Sequence, residues 1–213
     1  MKEYPKINTI YKRNENGELL EGTLSMPEIE FLSNNQWLFT EKIDGTNIRV
    51  MWDGDTVRFG GKTDKAQIPT FLLAKLQNIF VAEKLKYAFN PMDAINVCLY
   101  GEGYGAKIQK GGGNYIPDGC DFILFDVWIN GWWLKWVDVV DIANKLEIKH
   151  VPVLGYGTIQ NAINLTRAGF NSAFGHFLAE GIVLRPMVDL FARNGDRVIT
   201  KIKHRDFNRW ITH

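Results

Sequence analysis

The residues of this chain that could do chemistry are lysines and carboxylates set at the ends of apolar runs. In Glu41-Lys42-Ile43-Asp44-Gly45-Thr46-Asn47, a lysine closes a β-like stretch, with a carboxylate two residues on and a glycine after that. A lysine amine attacks only when neutral, so burial or nearby cations must bring its pKa down from about 10.4. Gly45 permits a tight turn or the close approach of a ligand. The same short pattern also describes a surface lysine beside an Asp-Gly turn, so its meaning depends on what accompanies it.

Four other segments accompany it. Tyr100-Gly101-Glu102-Gly103 leaves a carboxylate among glycines at a strand end. Residues 122–126 read FILFD, and strand alternation puts Phe122 and Leu124 on one face, with Ile123, Phe125 and Val127 on the other. Ala179-Glu180-Gly181 opens an apolar strand with a carboxylate. Thr200-Lys201-Ile202-Lys203 places two lysines on one strand face. Two ammonium groups aimed the same way suit an anion, a polyphosphate above all; at a sheet edge they would instead block edge-to-edge pairing.

The elements that must hold these residues follow from periodicity and turn signals. Strands are predicted at 37–40, 46–52, 56–59 after Asp53-Gly54, 97–100, 122–129, 132–136 after Asn130-Gly131, 151–156, 181–184, and 198–203 after Asn194-Gly195. Helices are predicted from Phe71 to about Tyr87, at 139–146 and 159–167, and at 206–211. Residues 1–35 read as an irregular lead-in. Strands joined by hairpins, with few helices, predict an α+β fold of mixed, mostly antiparallel sheets with flanking helices, forming one domain over 1–213.

Composition narrows the function classes. With 25 Lys+Arg against 24 Asp+Glu and 46% hydrophobic residues in 213, the chain is neither a charged disordered tail nor a protein drawn to nucleic acid by its overall charge. Cys98 and Cys120 cannot build a disulfide scaffold or a four-cysteine zinc site. No run approaches 18 apolar residues, and the N-terminus has no signal-peptide core. The expectation is a soluble, cytoplasmic protein without membrane contact.

Taken in order, EKIDGTN, YGEG, FILFD, AEGIVL and TKIK resemble the motifs of the covalent nucleotidyltransferases, the superfamily of polynucleotide ligases and capping enzymes. The likeness is nearest to ATP-dependent RNA ligases and covers Glu41 to Lys203. It implies an ATP-grasp-like nucleotidyltransferase fold and ligation of 5′-phosphate and 3′-hydroxyl ends, an RNA repair activity. Lys42 would carry AMP as a phosphoramidate, Glu102 would hold the ribose, and Phe125 would stack on adenine. Glu180 would meet a divalent metal, magnesium or manganese, and Lys201 and Lys203 would hold the α-phosphate. Glu41, Asp44, Gly45 and Asn47 would complete the nucleotide-binding set. The implied partner is nucleic acid, RNA rather than DNA. A GTP-using capping guanylyltransferase and a non-catalytic module that binds nucleic-acid ends are the alternatives.

Departures from the pattern also count. The family's usual arginine after the first hairpin falls in Val57-Arg58-Phe59-Gly60-Gly61-Lys62-Thr63. Arg58 or Lys62 takes its place, with Lys62 favoured; lysine keeps the charge but loses the bidentate fork. Ten residues follow Lys203, which predicts that the OB-fold domain of DNA ligases and capping enzymes is absent and that an accessory protein replaces it. Gly61-Lys62-Thr63 is not a P-loop, because position 56 is Thr and not Gly. Lys110-Gly111-Gly112-Gly113-Asn114 reads as a flexible surface loop. Lys203-His204-Arg205 with Arg209 and Trp210 forms a small basic, aromatic patch.

Overall fold

A computed structural model describes residues 3–89 and 96–207. Arg209, Trp210 and the end of the helix predicted at 206–211 lie outside the described residues. In chain order the elements are β1 (Asn8–Thr9), β2 (Tyr11–Arg13), β3 (Leu19–Leu24), α1 (Pro27–Phe31), β4 (Trp37–Glu41), β5 (Thr46–Trp52) and β6 (Val57–Gly60). Then follow α2 (Thr70–Ile79), α3 (Ala82–Phe89), β7 (Val97–Gly105), α4 (Gly112–Tyr115), β8 (Cys120–Ile129) and β9 (Trp132–Trp133). The last are α5 (Trp136–Lys145), β10 (Lys149–His150), β11 (Val153–Gly157), α6 (Ile159–Ala168), β12 (Gly181–Pro186) and β13 (Thr200–Lys203), closed by a 3-10 turn at His204–Asp206.

The chain divides into two compact units: residues 1–4 with 44–151, and residues 5–43 with 152–213. The first carries a sheet in the order β10-β8-β7-β5-β6, with β9 beside β8. Pairing is antiparallel except for β10 on β8. One face of this sheet, including Ile48, Val50, Leu99, Phe122 and Leu124, is packed with Leu72 and Leu76 of α2, Leu85 and Phe89 of α3, and Val139 and Ile142 of α5. The second unit carries a sheet in the order β1-β13-β12-β4-β11 and a separate β2–β3 pair. Ile10, Trp37, Phe39, Ile182, Leu184 and Ile202 build its core with Ile159 and Ile163 of α6. The α+β class with mostly antiparallel sheets is therefore as predicted.

The departures have local causes. Residues 1–35 are not an irregular lead-in, because they supply β1, β2, β3 and α1. The helix predicted from Phe71 to Tyr87 is broken between α2 and α3, where Phe80 takes φ −103° and ψ 78°. The break buries Phe80 edge-on against Phe122, with centroids 5.1 Å apart. The strand predicted at 132–136 ends at Trp133, since Trp136 already begins α5. Lys110–Asn114 is not a loose loop: α4 begins within it, and a Cβ on Gly112 would stand 1.9 Å from the Gly105 carbonyl oxygen. Gly112 is required there because the backbones touch.

Candidate active site

Lys42 leaves the end of β4, which lies between β12 and β11 in its sheet. Its backbone N–H donates to the Gly181 carbonyl at 2.9 Å, and its Nζ donates to Glu180 Oε2 at 2.6 Å. The other oxygen, Oε1, holds Lys203 Nζ at 2.6 Å. Antiparallel register explains this meeting: Gly181 stands opposite Lys203, so the residue before β12 reaches the end of β13. The Glu180 carbonyl also accepts from His204 N–H at 2.9 Å. Lys201 shares the face of Lys203, because the alternate residues Thr200 and Ile202 are fully buried.

Burial works to raise the Glu180 pKa, but Lys42 and Lys203 together outweigh it and hold the carboxyl below its ordinary value. Its side chain is 11% exposed, against 20% for Lys42 and 16% for Lys203. A carboxylate thus stands between Lys42 and Lys203 and pairs with both. Glu41, expected to bind nucleotide, has both oxygens engaged internally. Oε1 accepts from Ser172 Oγ at 2.5 Å and Oε2 from the Ala173 N–H at 2.9 Å.

In the first unit, Asp44 N–H donates to Tyr115 Oη at 3.2 Å, and Gln109 Nε2 donates to the Gly45 carbonyl at 3.0 Å. Gly45 is needed for space: a Cβ there would lie 2.3 Å from the Gly103 carbonyl oxygen. The neighbour that approaches closely is therefore strand β7. Asn47 and Glu102 stand directly opposite one another in the β5–β7 ladder, on the face turned away from the helices. Among the described residues, the buried Asn47 Oδ1 has no hydrogen-bond donor. A buried acceptor left so costs about 1–3 kcal/mol, which suits a group reserved for a ligand.

Phe125 sits in a β-bulge. Tyr100 pairs with Asp126 and Gly101 with Leu124, so Phe125 is the extra residue of β8. The bulge re-aims side chains and corrects the predicted alternation, since Val127 joins Phe122 and Leu124 in the core. The half-buried Phe125 ring stands edge-on to Tyr4, with centroids 5.1 Å apart. Tyr4 Oη donates to the buried Asp126 at 2.8 Å. Tyr4 escaped prediction, since nothing in the local sequence ties residue 4 to residue 126.

Arg58 is engaged by Asp53 within its own hairpin. Lys62 is exposed in a turn held by Arg49, which no motif had singled out. Arg49 is fully buried; its Nε donates to the Gly61 carbonyl at 2.8 Å and its Nη2 to Asp64 at 2.6 Å. The hydrogen bond and charge of Arg49 hold the Asp64 carboxyl below its ordinary pKa. An arginine in the middle of TNIRVMW was the only sequence signal for this strut.

A lysine–carboxylate–lysine triad thus stands at converging strand ends of an α+β fold. A family model described as RNA ligase matches residues 35–203. The chain belongs to the RNA ligase family. Solved structures of Naegleria gruberi RNA ligase share the fold. An apo variant matches with TM-score 0.65 and 18% identity, covering 98% of this chain and 59% of that one. A variant with ATP and Mn matches with TM-score 0.65 and 19% identity, covering 94% and 57%. The form with PPi matches with TM-score 0.64 and 21% identity, covering 94% and 57%. The chain thus spans less than two thirds of the length of these structures. Among the described residues, no helix is long and apolar enough to cross a membrane.

Proposed function

We propose that this protein is an ATP-dependent RNA ligase acting through a covalent lysyl-AMP intermediate, with residues 1–213 working as one adenylyltransferase domain. The observation that carries this is the bonding of Lys42 to Glu180, which also holds Lys203. The Lys42 Nζ gives its proton to water and, now neutral, attacks the α-phosphorus of ATP. The N–P bond forms as the bond to the pyrophosphate oxygen breaks. Lys203 and Lys201 offset the charge that develops on the phosphoryl oxygens, and fixed geometry supplies much of the acceleration. AMP then passes to an RNA 5′-phosphate, and a 3′-hydroxyl displaces it. Glu102 takes the ribose, Phe125 the adenine face, Asn47 a donor of the nucleotide or RNA end, and Lys62 a phosphate. Asp44 and Gly45 contribute through their backbone.

The residues fit a divalent metal that arrives with the triphosphate. No cluster of three His, Cys, Asp or Glu is present among the described residues. Magnesium commonly binds through one or two carboxylates plus substrate phosphates; each Glu180 oxygen holds one ammonium group and keeps a second lone pair with which it would hold the ion. Bound there, magnesium or manganese would supply neutralisation of phosphate charge.

Incubation with α-labelled ATP or GTP and magnesium, followed by a denaturing gel, tests this. A covalent band from ATP that is absent in Lys42→Ala, and then sealing of nicked RNA, are expected. A folded wild-type protein that takes no label, with manganese also tried, overturns the assignment.

A further inference from the structure

Glu41 is 1% exposed, and no step of the proposed reaction uses it. Its carboxyl spends both oxygens on Ser172 Oγ and the Ala173 N–H. Ser172 Oγ in turn accepts from the Phe174 N–H at 3.1 Å. The segment around this turn is closed by two backbone bonds, Ser172 N–H to Phe177 O at 2.8 Å and Ala179 N–H to Phe170 O at 2.9 Å. Its last residue is followed directly by Glu180. The end of β4 therefore grips the segment that delivers Glu180 at both ends: through Glu41 at residues 172–173, and through the Lys42 N–H at Gly181.

We propose that Glu41 and Ser172 form a positioning pair, which fixes segment 170–180 so that the Glu180 carboxylate stands between Lys42 and Lys203. This rests on the reading of Lys42 as nucleophile. It replaces the expected contact of Glu41 with nucleotide, since the side chain is buried and both its oxygens are bonded internally. A displacement of the order of 1 Å at a reacting centre can cost about 100-fold in rate. Release of this turn therefore acts on the chemical step and leaves ATP binding in place.

The test compares Ser172→Ala, Ser172→Thr and Glu41→Gln with wild type in two assays. The first is the rate of covalent labelling by ATP. Ser172→Ala and Glu41→Gln should lower the maximal rate about 10- to 100-fold, with KM for ATP unchanged within about 3-fold, and Ser172→Thr should restore it. The second needs no ligase activity: acetylation of individual lysines followed by mass spectrometry. Lys42 and Lys203 should react several-fold faster in Ser172→Ala, while Lys84, far along the chain and paired with Glu147, should not change. A raised KM with an unchanged maximal rate in Glu41→Gln would make Glu41 a nucleotide contact and overturn the proposal. Unchanged labelling and unchanged acetylation in Ser172→Ala would also overturn it. If wild type takes no label, the ligase reading fails and the acetylation pattern still decides the positioning role. If Glu41→Gln does not fold, Ser172→Ala, which loses one hydroxyl, carries both assays.

Discussion

Glu180 Oε2 lies 2.6 Å from Lys42 Nζ, although 138 residues separate the two in the chain. The amine is thus held, before any substrate arrives, by the carboxylate that also holds Lys203. Lys42→Arg keeps a cation for Glu180 but offers a guanidinium that stays protonated. It should fold with a melting temperature within about 4 °C of wild type, since Glu180 keeps a cationic partner and a change of about 1 kcal/mol moves a chain of this size by roughly 2–4 °C. Covalent labelling should fall to background. Melting curves run beside the denaturing gel check both halves; persistent labelling would remove Lys42 as the nucleophile.

Stability should follow the Glu180 charge at acid pH. The folded-state pKa of Glu180 is depressed, so its contribution is complete above the ordinary carboxyl value of about 4.3. It is lost as pH falls through the lower folded value. Between these limits wild type should lose stability more steeply than Glu180→Gln. Urea unfolding at a series of pH values from about 5 downward measures the two slopes, and equal slopes would contradict the assignment.

Gly45→Ala should destabilise the first unit. The new Cβ would meet the Gly103 carbonyl oxygen at 2.3 Å and Glu102 Cγ at 2.7 Å, and the first of these is backbone that must shift. Overpacking of this kind costs about 1–3 kcal/mol, which in a chain of this size lowers the melting temperature by roughly 2–4 °C per kcal/mol. Thermal unfolding followed by circular dichroism gives the answer.

Arg49→Met should leave the buried Gly61 carbonyl without its donor, at a cost of about 1–3 kcal/mol. Asp64→Asn should cost less, because the asparagine side-chain oxygen still accepts from Arg49 Nη2. Chemical denaturation of the two variants should show that order. The reverse order would mean that the ion pair, and not the bond to the turn, is what holds Lys62 in place.

Phe125→Ala should weaken ATP binding more than it weakens folding. The ring is half-buried, and loss of a base stack is worth about 1–3 kcal/mol, or roughly 5- to 150-fold in affinity. Titration with ATP by calorimetry measures the loss; an unchanged Kd would leave the adenine face to another ring.

Much of this protein was legible before folding was considered. Alternation in TKIK placed Lys201 and Lys203 on one face, because strand geometry is local, and the hairpin signals at Asp53-Gly54 and Asn130-Gly131 marked real turns. The bulge at Phe125 was hidden, since its extra residue is defined only by what stands opposite on β7. The same holds for the early strands β1–β3: two or three residues carry little periodicity, and β1 exists because β13 pairs with it.

By itself, the sequence determined which chemical groups are present and which strand faces carry them, because backbone period and turn propensity act over a few residues. Only the tertiary structure decided which groups meet. Ladder register set Glu180 between two ammonium groups, turned the Glu41 carboxyl to Ser172, and put a buried arginine beneath the turn that holds Lys62. The first two are contacts between distant segments and the third spans a hairpin; all are selected by core packing and strand pairing, so no local pattern encodes them.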